Sequence, residues 1–216
     1  MGIVIARTHT RRGPNGVQAR QLFRARLERI RAWVGRRLGS TRHEERVMRI
    51  AAGIFHLTSN THGLDHGHLR ILKFAALLHD VGRLHGADEH HARGAQLVLE
   101  GRTLELDASE RLAVAYLTWY HRGAVVSPRK DRRFAGLRQP RAMRVLLAIL
   151  RAADALDSRK FETPAVALER KGDRLRIRCY VDDVTRAEDV LGRKKKYRML
   201  EEELGVRLEV QWREAE

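Results

Sequence analysis

Phe74-Ala75-Ala76-Leu77-Leu78-His79-Asp80-Val81-Gly82 is the stretch on which the reading of this chain turns. An apolar run leads without a break into an imidazole and a carboxylate, and Gly82 then stops it. Such a run belongs in a core, so His79-Asp80 is expected at a buried helix end, where polar groups without partners are costly. A neighbouring imidazole and carboxylate placed there can face one metal ion. Elsewhere the chain offers His43, His90, His91, His121 and Asp154 for the same purpose.

Outward from this stretch, the apolar period is helical from about residue 15 to 160. Phe23, Leu27, Ile30 and Val34 form one stripe, in a helix predicted to end near Gly39. Ser40 or Thr41 can cap the next helix, with Glu44 or Glu45 in its first turn. There His43, Val47, Ile50 and Ile54 share the buried face, so His43 heads it. Gly63 to His68 reads as a loop, a third helix as Leu69 to Leu78, and a short fourth as Glu89 to Leu99. Another helix starts near Asp107 and ends at Tyr120-His121-Arg122-Gly123. The segment from Ser127 to Gln139, with five Arg or Lys, reads as a surface loop. Pro140 opens a last long helix in which Leu146, Leu147, Leu150, Ala153 and Asp154 share a broad face.

After Pro164 the period changes from helical to alternating. Val166 and Leu168, a turn at Lys171-Gly172-Asp173, then Leu175, Ile177, Cys179 and Val181 read as a β-hairpin. Ala187 to Leu204 reads as one helix stopped by Gly205, with the basic run Arg193 to Lys196 on a solvated face. Val206, Leu208, Val210 and Trp212 alternate as a final strand. The predicted fold is therefore mainly α: a helical bundle over residues 1–162 that carries the metal site, followed by a small C-terminal ββαβ (α+β) subdomain over 163–216.

The 216 residues suffice for one good-sized domain with an appendage, and 43% hydrophobic content suffices for a core. Lys and Arg number 43, all but seven of them Arg, against 27 Asp and Glu, for a formal charge of +16. That basic excess predicts attraction to polyanions: nucleotides, nucleic acid or polyphosphate. The single cysteine, Cys179, excludes an internal disulfide framework and a cysteine-built zinc site. The apolar start is too short for a signal peptide or a membrane span, and a cytoplasmic location without membrane association is expected. A sheet edge in the tail offers a route to a homodimer. Walker and Rossmann phosphate loops are absent, as is a serine nucleophile elbow.

Imidazoles and carboxylates converging from several helices are what a two-metal hydrolase requires. His43, His79, Asp80 and Asp154 can supply one ion. Asp80 can bridge to a second ion held by His90 and His121. Divalent Mn, Mg, Fe, Co, Ni and Zn all suit such ligands. Asp80 is the expected bridge at the reacting water. Arg83 is placed to hold a substrate phosphate, with Arg122 and Lys130 as further phosphate-binding candidates. Asp157 is expected to orient a ligand or to pair with Arg159 or Arg122. His62, Asp65, His66 and His68 form a His-rich loop that reads as polar surface. The competing reading of the whole is a polyphosphate- or nucleic-acid-binding regulatory module that keeps a structural metal and turns nothing over.

The order His43, His79-Asp80, Asp154 resembles the HD superfamily of metal-dependent phosphohydrolases. Leu77-Leu78-His79-Asp80-Val81-Gly82, His90 four residues before Gly94, Tyr120-His121-Arg122 and Leu150 to Asp157 are similar to the C-terminal HD domain of the exopolyphosphatase/guanosine pentaphosphatase family, here as a stand-alone domain. The resemblance covers about Arg20 to Trp212. It implies a helical HD domain with a ββαβ tail and metal-dependent hydrolysis of a phosphomonoester, phosphodiester or nucleotide. In that family exopolyphosphatase activity belongs to an actin-like region before the HD domain. The 42 residues before His43 are too few to hold it, so that activity is not carried over. The HD-GYP phosphodiesterases have a His-His pair where this chain has Tyr120-His121, and no Gly-Tyr-Pro follows here, which argues against cyclic dinucleotide hydrolysis. By analogy with them, the spacing to Gly94 favours His90 as ligand and leaves His91 behind it.

Overall fold

Helices form where the apolar spacing asks for them, and their ends meet at one place. The computed structural model describes residues 14–159, 165–191 and 197–215. Helix α1 (Pro14–Leu38) buries Ile30, Trp33 and Val34 and ends at Gly39, whose φ of +75° suits a residue without Cβ. Helix α2 (Arg42–Leu57) follows directly. Thr41 precedes it but makes no side-chain cap; its hydroxyl donates to Glu45 at 2.7 Å instead. A short α3 (Ser59–His62) leads into α4 (His66–Leu78).

The start of α4 lies earlier than its sequence suggests. Asp65 caps it by accepting from the His68 backbone N–H at 3.0 Å, so the first turn includes Gly67, a residue that reads as loop. After α4 the chain tightens into a 3₁₀ turn over Val81–His85 and then enters α5 (His90–Glu100). Asp107 and Glu110 form a capping box that starts α6 (Ala108–Tyr120). Pro140 occupies the first turn of α7 (Pro140–Ala155).

The 127–139 segment is more than a surface loop. A 3₁₀ turn over Arg132–Phe134 carries Phe134 into the core against Tyr116 and Tyr120, and Asp131 accepts the Tyr120 hydroxyl at 2.5 Å. One buried aromatic anchors a segment whose composition is otherwise basic and polar.

The tail has strands β1 (Ala165–Lys171), β2 (Arg174–Val181) and β3 (Arg207–Glu214) in sheet order β1-β2-β3. β1 and β2 form the expected hairpin, and β3 joins β2 in parallel after a helical crossover. The single helix expected from Ala187 to Leu204 is instead α8 (Val184–Leu191) and α9 (Arg198–Leu204). The basic run 193–196 lies outside the described residues. The tail packs on the bundle through β1 against α2 and α9 against α7. Leu168 lies so close to Gly53 that a Cβ there would meet its Cδ1 at 2.3 Å. One continuous core links Leu175, Ile177 and Leu200 with the helical interior. The fold is thus mainly α with a small C-terminal β unit. No helix among the described residues is long and apolar enough to cross a membrane.

Candidate metal centre

His79 caps the C-terminal end of α4, His121 that of α6, His90 opens α5 and His43 lies in the first turn of α2. Helix ends carry unsatisfied backbone groups, and two of the histidines use them. His79 Nδ1 donates to the Ala76 carbonyl at 2.8 Å and His121 Nδ1 to that of Thr118 at 2.7 Å. His90 Nδ1 donates to the Ala87 carbonyl at 2.6 Å. His43 Nδ1 faces the Asp157 carboxylate at 2.7 Å. Each of these bonds holds a ring proton on Nδ1 and turns Nε2 inward, the arrangement found around metal-ligating histidines.

The Nε2 atoms converge with two carboxylates in two groups. His43 and His79 each place Nε2 3.4 Å from Asp154 Oδ1. His90 Nε2 lies 3.1 Å and His121 Nε2 3.6 Å from Asp80 Oδ1. Asp80 stands between the groups, with Oδ1 3.9 Å from His79 Nε2 and Oδ2 3.9 Å from His43 Nε2. Every one of these side chains is buried except Asp154, which is 16% exposed.

These spacings test whether a metal fits. Two ligand atoms about 2.1 Å from one ion sit about 3.0 Å apart at octahedral angles and about 3.4 Å at tetrahedral ones. The observed distances of 3.1–3.6 Å within each group lie around the tetrahedral value and slightly above the octahedral one. His90 Nε2 and His121 Nε2 are 3.3 Å apart, and with both protons on Nδ1 neither can donate to the other. His79 Nε2 is fully buried and makes no well-formed hydrogen bond among the described residues, with Asp154 Oδ1 3.4 Å away. A cation between these atoms resolves both defects, so the residues fit a divalent ion in each group.

The electrostatics agree. Burial opposes a charge on His79, but Asp80 and Asp154 outweigh it and push its pKa up to about 9. Burial also opposes ionisation of Asp80, yet His79, His121 and His90 hold it well below the usual carboxylate range. Asp154 is held low in the same way, against its burial, by His43 and His79. Burial pushes His121 down, with Asp80 pulling the other way. Two ionised carboxylates thus face imidazoles in a nearly dry space, a place that attracts positive charge.

The remaining candidates fall into place around this centre. Arg83 Nε donates to Asp80 Oδ2 at 2.6 Å. Asp157 sits behind His43 and also accepts Arg46 Nε at 2.8 Å, rather than pairing with Arg122. Arg122 is exposed and lines, with His121, Gly123, Arg151 and Asp154, an opening of about 100 Å³ beside the centre. Lys130 is exposed and does not line it. His91 turns away from the centre, its ring 6.1 Å from that of Trp119. In the His-rich loop, His62 bonds the Phe55 carbonyl and the Leu64 N–H, and His68 bonds Asp65 and Gln139. Those rings are occupied in capping and turn bonds.

The roles of three neighbours escape a reading of the sequence. Glu44 is fully buried beside His43 and accepts a bond from Arg159, whose Nε also donates to Asp80 Oδ2 at 3.1 Å. Arg46 braces Asp157. Arg151 donates to the Gly123 carbonyl at 3.0 Å and so fixes the turn after His121. Glu44 had a signal: it shares a stripe with Met48, Ala51 and Phe55, all buried. A carboxylate heading an apolar stripe marks a buried partner as surely as His43 does.

Residues 40–193 match the family model described as Ppx/GppA phosphatase, domain III. The matched span contains every residue named at the centre. The comparison with curated proteins returned no match.

Proposed function

The chain belongs to the Ppx/GppA phosphatase family, matching its domain III, and we propose that it is an HD-type, metal-dependent phosphohydrolase working at the His/Asp centre. The observation that carries this reading is the set of four imidazoles whose Nδ1 protons are all engaged, with their Nε2 lone pairs aimed at Asp80 and Asp154. His43, His79 and Asp154 would hold one divalent ion, and Asp80, His90 and His121 the other. Ions bound there supply an activated water and charge to polarise the phosphoryl group. Asp80 reaches both groups and would orient the water between them. Arg83 would hold a phosphate oxygen, and the opening beside Arg122 and Arg151 would admit the substrate. The helical part, 1–162, would carry the chemistry, and the tail, 163–216, would brace α2 and α7.

The test joins metal analysis with a screen of nucleotides and other phosphoesters in Mg, Mn, Co or Ni. We expect bound divalent metal and turnover. His79→Ala and Asp80→Ala should each lose metal and about 100-fold or more in turnover while keeping the helical circular-dichroism spectrum. The charge of +16 favours a second reading, a polyphosphate- or RNA-binding module. Tight, salt-sensitive binding of either with no turnover on any phosphoester would establish that reading instead.

A further inference from the structure

Two guanidiniums converge on one oxygen of Asp80. Arg83 Nε reaches Oδ2 at 2.6 Å and Arg159 Nε reaches the same atom at 3.1 Å. This is the oxygen that faces away from His90 and His121, which approach Oδ1. Arg159 is held from its other side by Glu44, a carboxylate with no exposed surface whose second oxygen has no hydrogen-bond partner among the described residues. A buried, half-satisfied carboxylate is costly. Here it fixes the one guanidinium that comes from beyond the last helix of the bundle.

The pair is anchored at one end and open at the other. The Asp80 side chain is 5% exposed, whereas those of Arg83 and Arg159 are 31% and 29% exposed. Arg83 commits only Nε, and Arg159 commits Nε and Nη2. The remaining Nη groups make no bond to a described residue. Planar guanidiniums drawn to one carboxylate oxygen, with N–H groups not engaged by a described residue, match the oxygens of a phosphate.

From this geometry we infer that Arg83 and Arg159 form a clamp for a phosphate dianion, with Glu44 as the residue that positions Arg159. The inference rests on the metal reading above and deepens it. On that reading the charges of Asp80 and Asp154 are answered by divalent ions, so among the described residues Glu44 is the fixed counter-charge left to the two guanidiniums. The positive excess suits a phosphate with two negative charges, as in a monoester or a terminal anhydride phosphate. A diester, with one charge, answers less of it. The clamp therefore selects terminal phosphates.

Calorimetric titration of the Mg-loaded protein with inorganic phosphate and with dimethyl phosphate decides the matter. Wild type should bind phosphate at least about 10-fold more tightly than dimethyl phosphate. Arg159→Gln should weaken phosphate binding about 10-fold or more, narrow that preference and leave the bound metal unchanged. Glu44→Gln should move phosphate affinity in the same direction, also without loss of metal. In turnover of a phosphomonoester, Arg159→Gln should raise KM more than it lowers kcat. Should that variant fail to fold, Arg159→Lys serves in its place: it keeps the charge beside Glu44, loses the fork, and must weaken phosphate several-fold. Unchanged phosphate affinity in a metal-loaded Arg159 variant overturns the clamp and leaves the metal centre standing. A wild-type protein that takes up no divalent ion overturns both.

Discussion

His90 and His121 hold their Nε2 atoms 3.3 Å apart with both ring protons engaged elsewhere, an arrangement that two lone pairs oppose unless a cation lies between them. At the scale of single residues, this set was legible because polar groups interrupt apolar runs at His79-Asp80 and Asp154. The residues behind them were less legible. Asp157 reads as an acid that orients a ligand or pairs with Arg159 or Arg122, and only the fold shows that the ring it faces, at 2.7 Å, is His43 and that its arginine is Arg46. A partner of that kind fixes the ring and its tautomer. Asp157→Asn should therefore lower the affinity of the His43, His79 and Asp154 group for divalent metal by about 10- to 100-fold, measured by competition with a chelator. His91→Ala should leave it unchanged, since that ring faces Trp119. Equal losses in both variants would mean that the rings are not fixed in this way.

Among the elements, the close packing of the Val81–His85 turn on α5 brings the two His/Asp groups together. A Cβ on Gly82 would meet the His90 carbonyl oxygen at 2.0 Å and the Gly94 nitrogen at 2.5 Å. In the sequence Gly82 reads as a helix breaker, yet its φ is not positive; the glycine is there for closeness. The early start of α4 at His66, the split into α8 and α9 and the anchoring of 127–139 by Phe134 were equally hidden. The first turns on the local Asp65 cap and the last on Phe134 against Tyr116 and Tyr120, rather than on periodicity. Gly82→Ala must push the turn away from α5, and with it Asp80 from His90, now 3.1 Å apart at their nearest polar atoms. Overpacking of this kind costs about 1–3 kcal/mol. The expected result is a lower Tm together with weaker metal binding. A variant that melts lower but binds metal as wild type does would break the link between this contact and the centre.

For the whole molecule, metal binding is linked to stability and to pH, because the centre draws on α2, the end of α4, α5, α6 and α7 and exists only when they are assembled. A ligand present at 100 times its Kd and bound only by the folded state adds about 2.7 kcal/mol. In a chain of this size that raises Tm by about 5–10 °C. The size of the increment depends on what occupies the centre without metal. His79 is raised from 6.5 to about 9 by Asp80 and Asp154 against its burial. In the metal-free protein its proton therefore contributes stability that is fully present below pH 6.5 and is lost as the pH rises through about 9. Metal must displace that proton, so the ion gains least where the proton is held best. The Tm difference between metal-loaded and chelator-treated protein should be smallest near pH 6, grow steadily between about pH 6.5 and 9, and level off above. Differential scanning calorimetry across that range measures it directly. A difference that stays flat, or falls as the pH rises, would show that His79 Nε2 does not meet the metal.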